Sequence, residues 1–400
     1  MDRSRKVVPR TIARPVSQPP PLPPTASGSA SSTADAQAIG DDLAARAVQV
    51  RCKNCGANMV WDPSADALSC GYCGITQVVP RLEGTIVERT MEEVGTAARG
   101  FGIATRAATC TRCGAKTDFT GQDISTSCVF CGAPTVLAES SYRNALRPES
   151  LIPLDVARAQ IDAAFQKWAH GLWFRPNDLE RARVGGARGL YVPAWTFDSK
   201  VHSQWSADAG FYYTVMEPRP VMVNGKMQIR MVPVQKVRWE PAFGERHDGF
   251  DDLVVHASKG LSPKLAGELG GFEMKGLVPY RPEYLSGWGA EEYAVDLEAG
   301  WKDALARMQA RQTERCSGDV PGDTQRNLRV RNTVSDVRWK LVLLPVWSLT
   351  YRHGGKDYAV LVHGANGRVV GDAPYSWIKI ALLVFAIGVG LVFLLALMSL

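Results

Sequence analysis

Residues 52–74 and 110–132 read CKNCGANMVWDPSADALSCGYCG and CTRCGAKTDFTGQDISTSCVFCG, one arrangement used twice: two C-x2-C-G knuckles with fourteen residues between the inner cysteines. Two residues between cysteines let a tight turn aim both sulfurs at one centre, and the glycine that follows supplies the backbone freedom the turn needs. The intervening stretch then forms a short hairpin that brings the second knuckle opposite the first. The spacing predicts a closed set of four thiolates in each copy: Cys52, Cys55, Cys70 and Cys73, then Cys110, Cys113, Cys128 and Cys131. Two structural Zn2+ ions are the expected occupants. Disulfide-stapled hairpins are the alternative and need an oxidising compartment, yet residues 1–50 carry no apolar export segment. Iron in a rubredoxin-like site is the other competitor, for which this hairpin is short. Four thiolates leave a metal no open position for water, so Lewis-acid hydrolysis is excluded unless a ligand is lost. Metal binding of roughly 10–16 kcal/mol in zinc peptides is what lets so short and polar a segment fold.

The remainder of the chain must hold these knuckles. At 400 residues, 46% hydrophobic and 22% charged, the composition suits a multidomain globular protein. The expected fold class is multidomain α+β: two small β zinc ribbons, an antiparallel-sheet α+β domain and one C-terminal transmembrane helix. The expected divisions are a disordered basic tail over 1–50, the first ribbon over 51–80, a connector over 81–109, the second ribbon over 110–138, the α+β domain over 140–374 and the membrane helix over 377–399. The net charge is +6, and Arg3, Arg5, Lys6, Arg10 and Arg14 put most of that excess in the tail. That tail runs through a Pro-rich stretch and has no aromatic before Trp61, too little apolar surface to offset chain entropy. A polyproline ligand, or a basic arm on anionic lipid, is its alternative reading. The ribbons themselves are near neutral, which weakens the basic footprint of a nucleic-acid groove.

Within the connector, Thr85–Arg99 reads as a short helix stopped by Gly100, and Phe101–Thr109 as a strand. Asp155 is the expected N-cap of the helix VARAQIDAAFQKWAH, whose apolar side carries Ile161, Phe165, Trp168 and Leu172. A second helix is expected over Glu291–Arg315, with Ala294, Leu297, Trp301, Leu305 and Met308 as its stripe. An extended run places Pro193, Trp195 and Phe197 on one strand face. Leu344–Thr350 repeats the order of Val192–Asp198, which predicts a sheet core of two related halves; Gly354–Gly355 and Ala365–Gly367 read as hairpin turns. The adjacent carboxylates Asp251 and Asp252 point to opposite faces of an extended segment, favouring a solvated turn over a metal site or a base. The histidines His170, His202, His247, His256, His353 and His363 show no ligand spacing. Cys316 reads as a surface or packed thiol near a helix end.

Residues 380–398, IALLVFAIGVGLVFLLALM, are uninterrupted apolar and with Trp377 and Ile378 reach the length a bilayer core requires. Trp377 and Lys379 stand where interface anchors belong, and Ser399 and Leu400 follow. A single-pass membrane protein is expected, its soluble bulk on the cytoplasmic side of a bacterial inner membrane, where thiolates stay reduced.

Two C-x2-C-G ribbons followed by GLYVPAWTFD, VRWEPAFG, FDDLVVHAS, LVPYRPEYLSGW and LVLLPVWSLTYRHGGKDYAVLVHGANGRVVG resemble a bacterial family of membrane-anchored double zinc-ribbon proteins over roughly residues 50–375. The resemblance implies ribbons of the transcription factor IIB type, and some members are labelled as similar to primosomal protein N′, the replication factor Y helicase. Of the family's functional positions only the eight cysteines carry over. Where the family has C-P-x-C, this chain has Lys53 and Thr111; the prolines are not ligands, so the metal sets are unaffected. The chain holds no G-x4-G-K-[ST] loop to cradle nucleotide phosphates, so a helicase motor is excluded. The expected function is a zinc-binding, membrane-tethered adaptor or scaffold for a protein partner, without evident catalysis. The alternative is association with nucleic acid, with Trp61, Tyr72, Phe119 and Phe130 stacking on bases.

Overall fold

In the computed structural model the described residues are 50–80, 86–101, 106–119, 128, 130, 136–140, 145–171, 174–176, 184–223, 226–353, 356–371 and 373–398. The expected tail over 1–50 lies almost wholly outside them, as do Cys131, Leu172 and the Gly354–Gly355 turn. The protein is mixed α+β, with one three-stranded sheet and one large sheet. The small sheet is β1 (Met59–Asp62), β2 (Ala67–Cys70) and β3 (Thr76–Gln77), paired in that order. The large sheet takes β4 (Arg89–Thr90), β5 (Arg106–Thr109), β6 (Lys116–Phe119), β7 (Val136–Ser140), β8 (Ser150–Leu151), β9 (Val184–Val223), β10 (Lys226–His256), β11 (Val278–Pro279), β12 (Gly289–Glu291), β13 (Thr324–His353), β14 (Lys356–His363) and β15 (Val369–Gly371). Its main path is β11-β8-β13-β9-β12-β6-β5-β7. The helices are α1 (Arg158–His170), α2 (Pro263–Leu269), α3 (Leu297–Asp319) and α4 (Trp377–Met398).

The antiparallel pair β9 and β13 forms the spine. Val192 stands opposite Leu344 and Ala194 opposite Val342. The two Pro-x-Trp segments of the sequence therefore lie side by side and run in opposite directions, so the related halves meet at the centre of the sheet. Near-continuous apolar runs such as Leu341–Leu349 mark strands buried on both faces. Alternation then sorts the cores. Tyr191, Leu343 and Trp347 face α1 and the small sheet, and further along that face Trp195, Phe197 and Leu341 pack against α3. Leu190, Val192, Leu344 and Val346 face the opposite way, onto α2 and the second cysteine set.

Several local expectations are corrected. The connector holds β4 and one 3-10 turn, Met91–Thr96, rather than an α-helix. Ala157, not Asp155, is the N-cap of α1. The backbone N–H groups of Asp155 and Val156 donate to Gly364 O at 3.0 and 2.8 Å, and Trp347 Nε1 donates to Val156 O, so the chain is committed to the sheet until Ala157. Helix α3 likewise starts at Leu297, capped by Asp296 accepting from the Ala299 N–H at 2.8 Å. Glu291 belongs to β12, and Ala294 and Val295 donate to Ala257 O, which ties those residues to the sheet. The buried side of α3 is Leu297, Gly300, Ala304, Met308, Gln312 and Cys316, close to a four-residue repeat and reaching about two turns past the expected stripe.

Helix α4 carries exposed side chains from Ala381 to Leu391, the last whose side chain is described. Among the described residues, whose side chains in α4 end at Leu391, no helix is long and apolar enough to cross a membrane.

Candidate metal centres

The three knuckles among the described residues are the same turn. Cys52 N–H donates to Ala57 O and Gly56 N–H to Cys52 O; the Cys70 and Cys110 knuckles repeat the pair with Ile75 and Gly74, and with Ala115 and Gly114. Gly56, Gly74 and Gly114 have φ of +73°, +74° and +76°, the left-handed region that excludes most side chains. This is the backbone the C-x2-C-G spacing required.

The turns bring the sulfurs together. In the first centre Cys52 Sγ lies 3.5 Å from Cys73 Sγ and Cys55 Sγ 3.5 Å from Cys70 Sγ. In the second, Cys113 Sγ lies 3.6 Å from Cys128 Sγ, and Cys110 completes the described trio. Cys131, its expected fourth ligand, is outside the described residues. A tetrahedron with ~2.3 Å metal–sulfur bonds has edges of about 3.8 Å, whereas a disulfide needs about 2.05 Å. The cysteines are free thiols at a separation that fits a tetrahedral ion and not a covalent bridge. The Ile75 N–H lowers the Cys73 thiol to about 6, and the Cys73 and Tyr72 N–H groups lower Cys70, so backbone donors favour the thiolate form a metal takes. Burial raises Cys113. The clusters can hold metal ions, and their sulfur set is compatible with zinc.

Both centres are built into the body of the protein. Trp61, 2% exposed, packs edge-on to Tyr284 at 4.6 Å, and its indole N–H donates to Leu154 O. Ser286 Oγ donates to Met59 O at 2.6 Å, Trp61 N–H to Ser286 O at 2.9 Å and Trp288 Nε1 to Trp61 O at 3.0 Å. Cys52 and Cys70 thus share a core with Leu151, Phe165 and Trp347. On the other side, β6 pairs with β12, and the Phe130 ring sits so close to Gly260 that a Cβ there would lie 2.3 Å away. Cys110 and Cys128 share that core with Val192 and Leu344. The two centres therefore grip opposite faces of the β9–β13 pair. Of the aromatics proposed for stacking, Trp61 and Phe130 are buried, Tyr72 is exposed, and the Phe119 side chain is outside the described residues.

The fold also assembles groups that the sequence did not reveal. His202 and His247 stand directly opposite in the β9–β10 register, their rings stacked 4.2 Å apart, with Glu245 Oε2 3.2 Å from His202 Nε2. Parallel rings aim their nitrogens side by side, so a shared ion would require them to turn. Asp252 sits in a bulge of β10 at φ +48°, its carboxylate 2.6 Å from Lys340 Nζ, which also meets Glu88 at 2.8 Å and Asp198 at 3.9 Å. Burial raises Asp198 to about 6. Asp251 is exposed, so the pair lies in a strand bulge, with one carboxylate solvated and the other paired, rather than in the expected solvated turn. Cys316 is fully buried.

The chain is similar to the uncharacterized protein YdjG of Bacillus subtilis (strain 168), with 25% identity over 336 residues, 84% of this chain and 92% of that protein. No family model matches the chain, and no solved structure matches it.

Proposed function

We propose that the protein is a zinc-stabilised, membrane-tethered adaptor that presents its mixed α+β body to a protein partner on the cytoplasmic face. The observation that carries this reading is the core-embedded character of the cysteine centres: the described sulfurs face one another, four in the first centre and three in the second, and their hairpins are locked to the sheet. Such centres set shape, and the reading assigns no catalysis to them. The apolar exposed helix α4 is the proposed tether, with Trp377 and Lys379 at the interface. The burial of Trp61 and Phe130 removes two of the four aromatics on which base stacking was to rest, which favours a protein partner over nucleic acid.

The test is crosslinking in membranes from cells expressing the full chain. A specific protein adduct is expected, lost when Cys52→Ser and Cys110→Ser are combined. An adduct pattern indifferent to both changes would defeat the adaptor reading. So would tight binding of the zinc-loaded chain to DNA or RNA with a steep salt slope, the signature of phosphate neutralisation.

A further inference from the structure

Beyond Gly210, where Thr324 marks the start of β13, β9 pairs only with β10 among the described residues. Phe211–Val223 and Lys226–Arg238 thus run on as a two-stranded ribbon of about 40 Å at ~3.3 Å per residue. Its two faces differ sharply. The register places Tyr212, Met216 and Met222 on one face with Met227, Ile229 and Met231, all between 46% and 78% exposed. Among the residues whose side chains are described, every charged residue of the ribbon is on the other face: Glu217, Arg219, Arg230, Lys236 and Arg238. Glu217 pairs there with Lys236 at 2.5 Å.

The edges are guarded while the apolar face is not. Pro218 and Pro220 stand opposite Met231 and Ile229, and Pro233 stands opposite Met216. Directly opposed residues in an antiparallel pair exchange two hydrogen bonds or none, and proline has no N–H to give. These prolines therefore occupy the non-bonded pairs, whose backbone groups point outward, and both open edges lose donors there. A further strand is discouraged from adding at either edge. An isolated two-stranded ribbon is marginal in water, and an uncharged face of this size on it calls for a cover.

We infer that the cover is the same face of a second copy, so that two ribbons stack face to face about a twofold axis. The face is self-complementary because it holds no charge, and stacking leaves the basic residues of both copies pointing outward and apart. The six large side chains expose on the order of 100 Å² each, about 600–800 Å² per copy, close to the ~800 Å² per partner of a stable interface.

The experiment uses the full zinc-loaded chain in mild detergent, with its mass read by sedimentation and light scattering. Twice the chain mass is expected. Combining Met222→Lys with Ile229→Lys should bring it to one chain mass, with at least a hundredfold weaker self-association and unchanged zinc content, whereas Arg230→Glu on the opposite face should leave the dimer in place. In membranes, a photo-crosslinking residue at position 229 should join two differently tagged copies. A dimer indifferent to the lysine pair, a monomeric wild type, or adducts only with lipid or another protein would each overturn the inference.

Discussion

Lys340 shows what a single residue carries in this fold. Its side chain is 4% exposed and its ammonium is held by Asp252, Glu88 and Asp198. Lys340→Met keeps the bulk and deletes the charge, leaving three carboxylates around an unpaired gap. A loss of about 3–5 kcal/mol is expected in urea unfolding, because removing one partner of a buried pair costs more than the pair is worth. Glu291 is the converse case. Burial pushes its carboxyl up to about 7, against the pull of the Ser258 hydroxyl and the Gly260 and Lys259 N–H groups. Unfolded, it ionises near 4.5. The raised value means the folded state favours the proton, so this contribution to stability is fully present below pH 4.5 and fades as the pH climbs through about 7. Glu291→Gln should flatten that stretch of the stability profile and raise stability at pH 8 by about 1–3 kcal/mol. Neither residue stood out in the sequence, since the partners of Lys340 come from three separate strands or segments and the burial of Glu291 depends on β12 lying against β6 and β9.

Among the elements, the knuckles were the most legible. Their geometry is set within five residues by covalent spacing and a left-handed glycine, so Cys52 to Gly56 determine their own turn. Helices α1 and α3 were legible as apolar stripes but not at their ends, because backbone bonds to Gly364 and Ala257 decide where each begins. Strand register was illegible: His202 meets His247, and Asp252 meets Lys340, only through pairings that no local period reveals. At this scale the expected zinc content is two ions per chain by elemental analysis. Cys52→Ser with Cys55→Ser should reduce it to one and leave the second centre filled. Trp61→Ala spares the ligands yet should cost about 3–5 kcal/mol, since it empties the contact between β1 and the Tyr284 segment.

For the whole molecule, the ribbons were expected as separate small domains, yet Cys52 and Cys110 lie in cores on opposite faces of one sheet. Chelating the metal should therefore do more than melt two hairpins. Hydrogen exchange after chelation should quicken in α1 and in the β9–β13 pair around Val192 and Leu344, in a coupled loss rather than two local ones. Faster exchange confined to residues 50–80 and 110–130 would show the ribbons to be independent after all.

The 40-residue strand β9 also sets an order of events during synthesis. Val223 and Lys226 are opposed across Asn224 and Gly225, the dipeptide a two-residue turn favours, so β9 and β10 can zip together as soon as both leave the ribosome. Strand β13 is the longest other neighbour of β9, and it arrives about a hundred residues later, some 5–20 seconds at ordinary elongation rates. For that interval the nascent hairpin has its inner edge open. Overproduction should then fail through capture of this half-finished species, and slowing initiation to lower its concentration should rescue yield more than any gain in the stability of the finished fold.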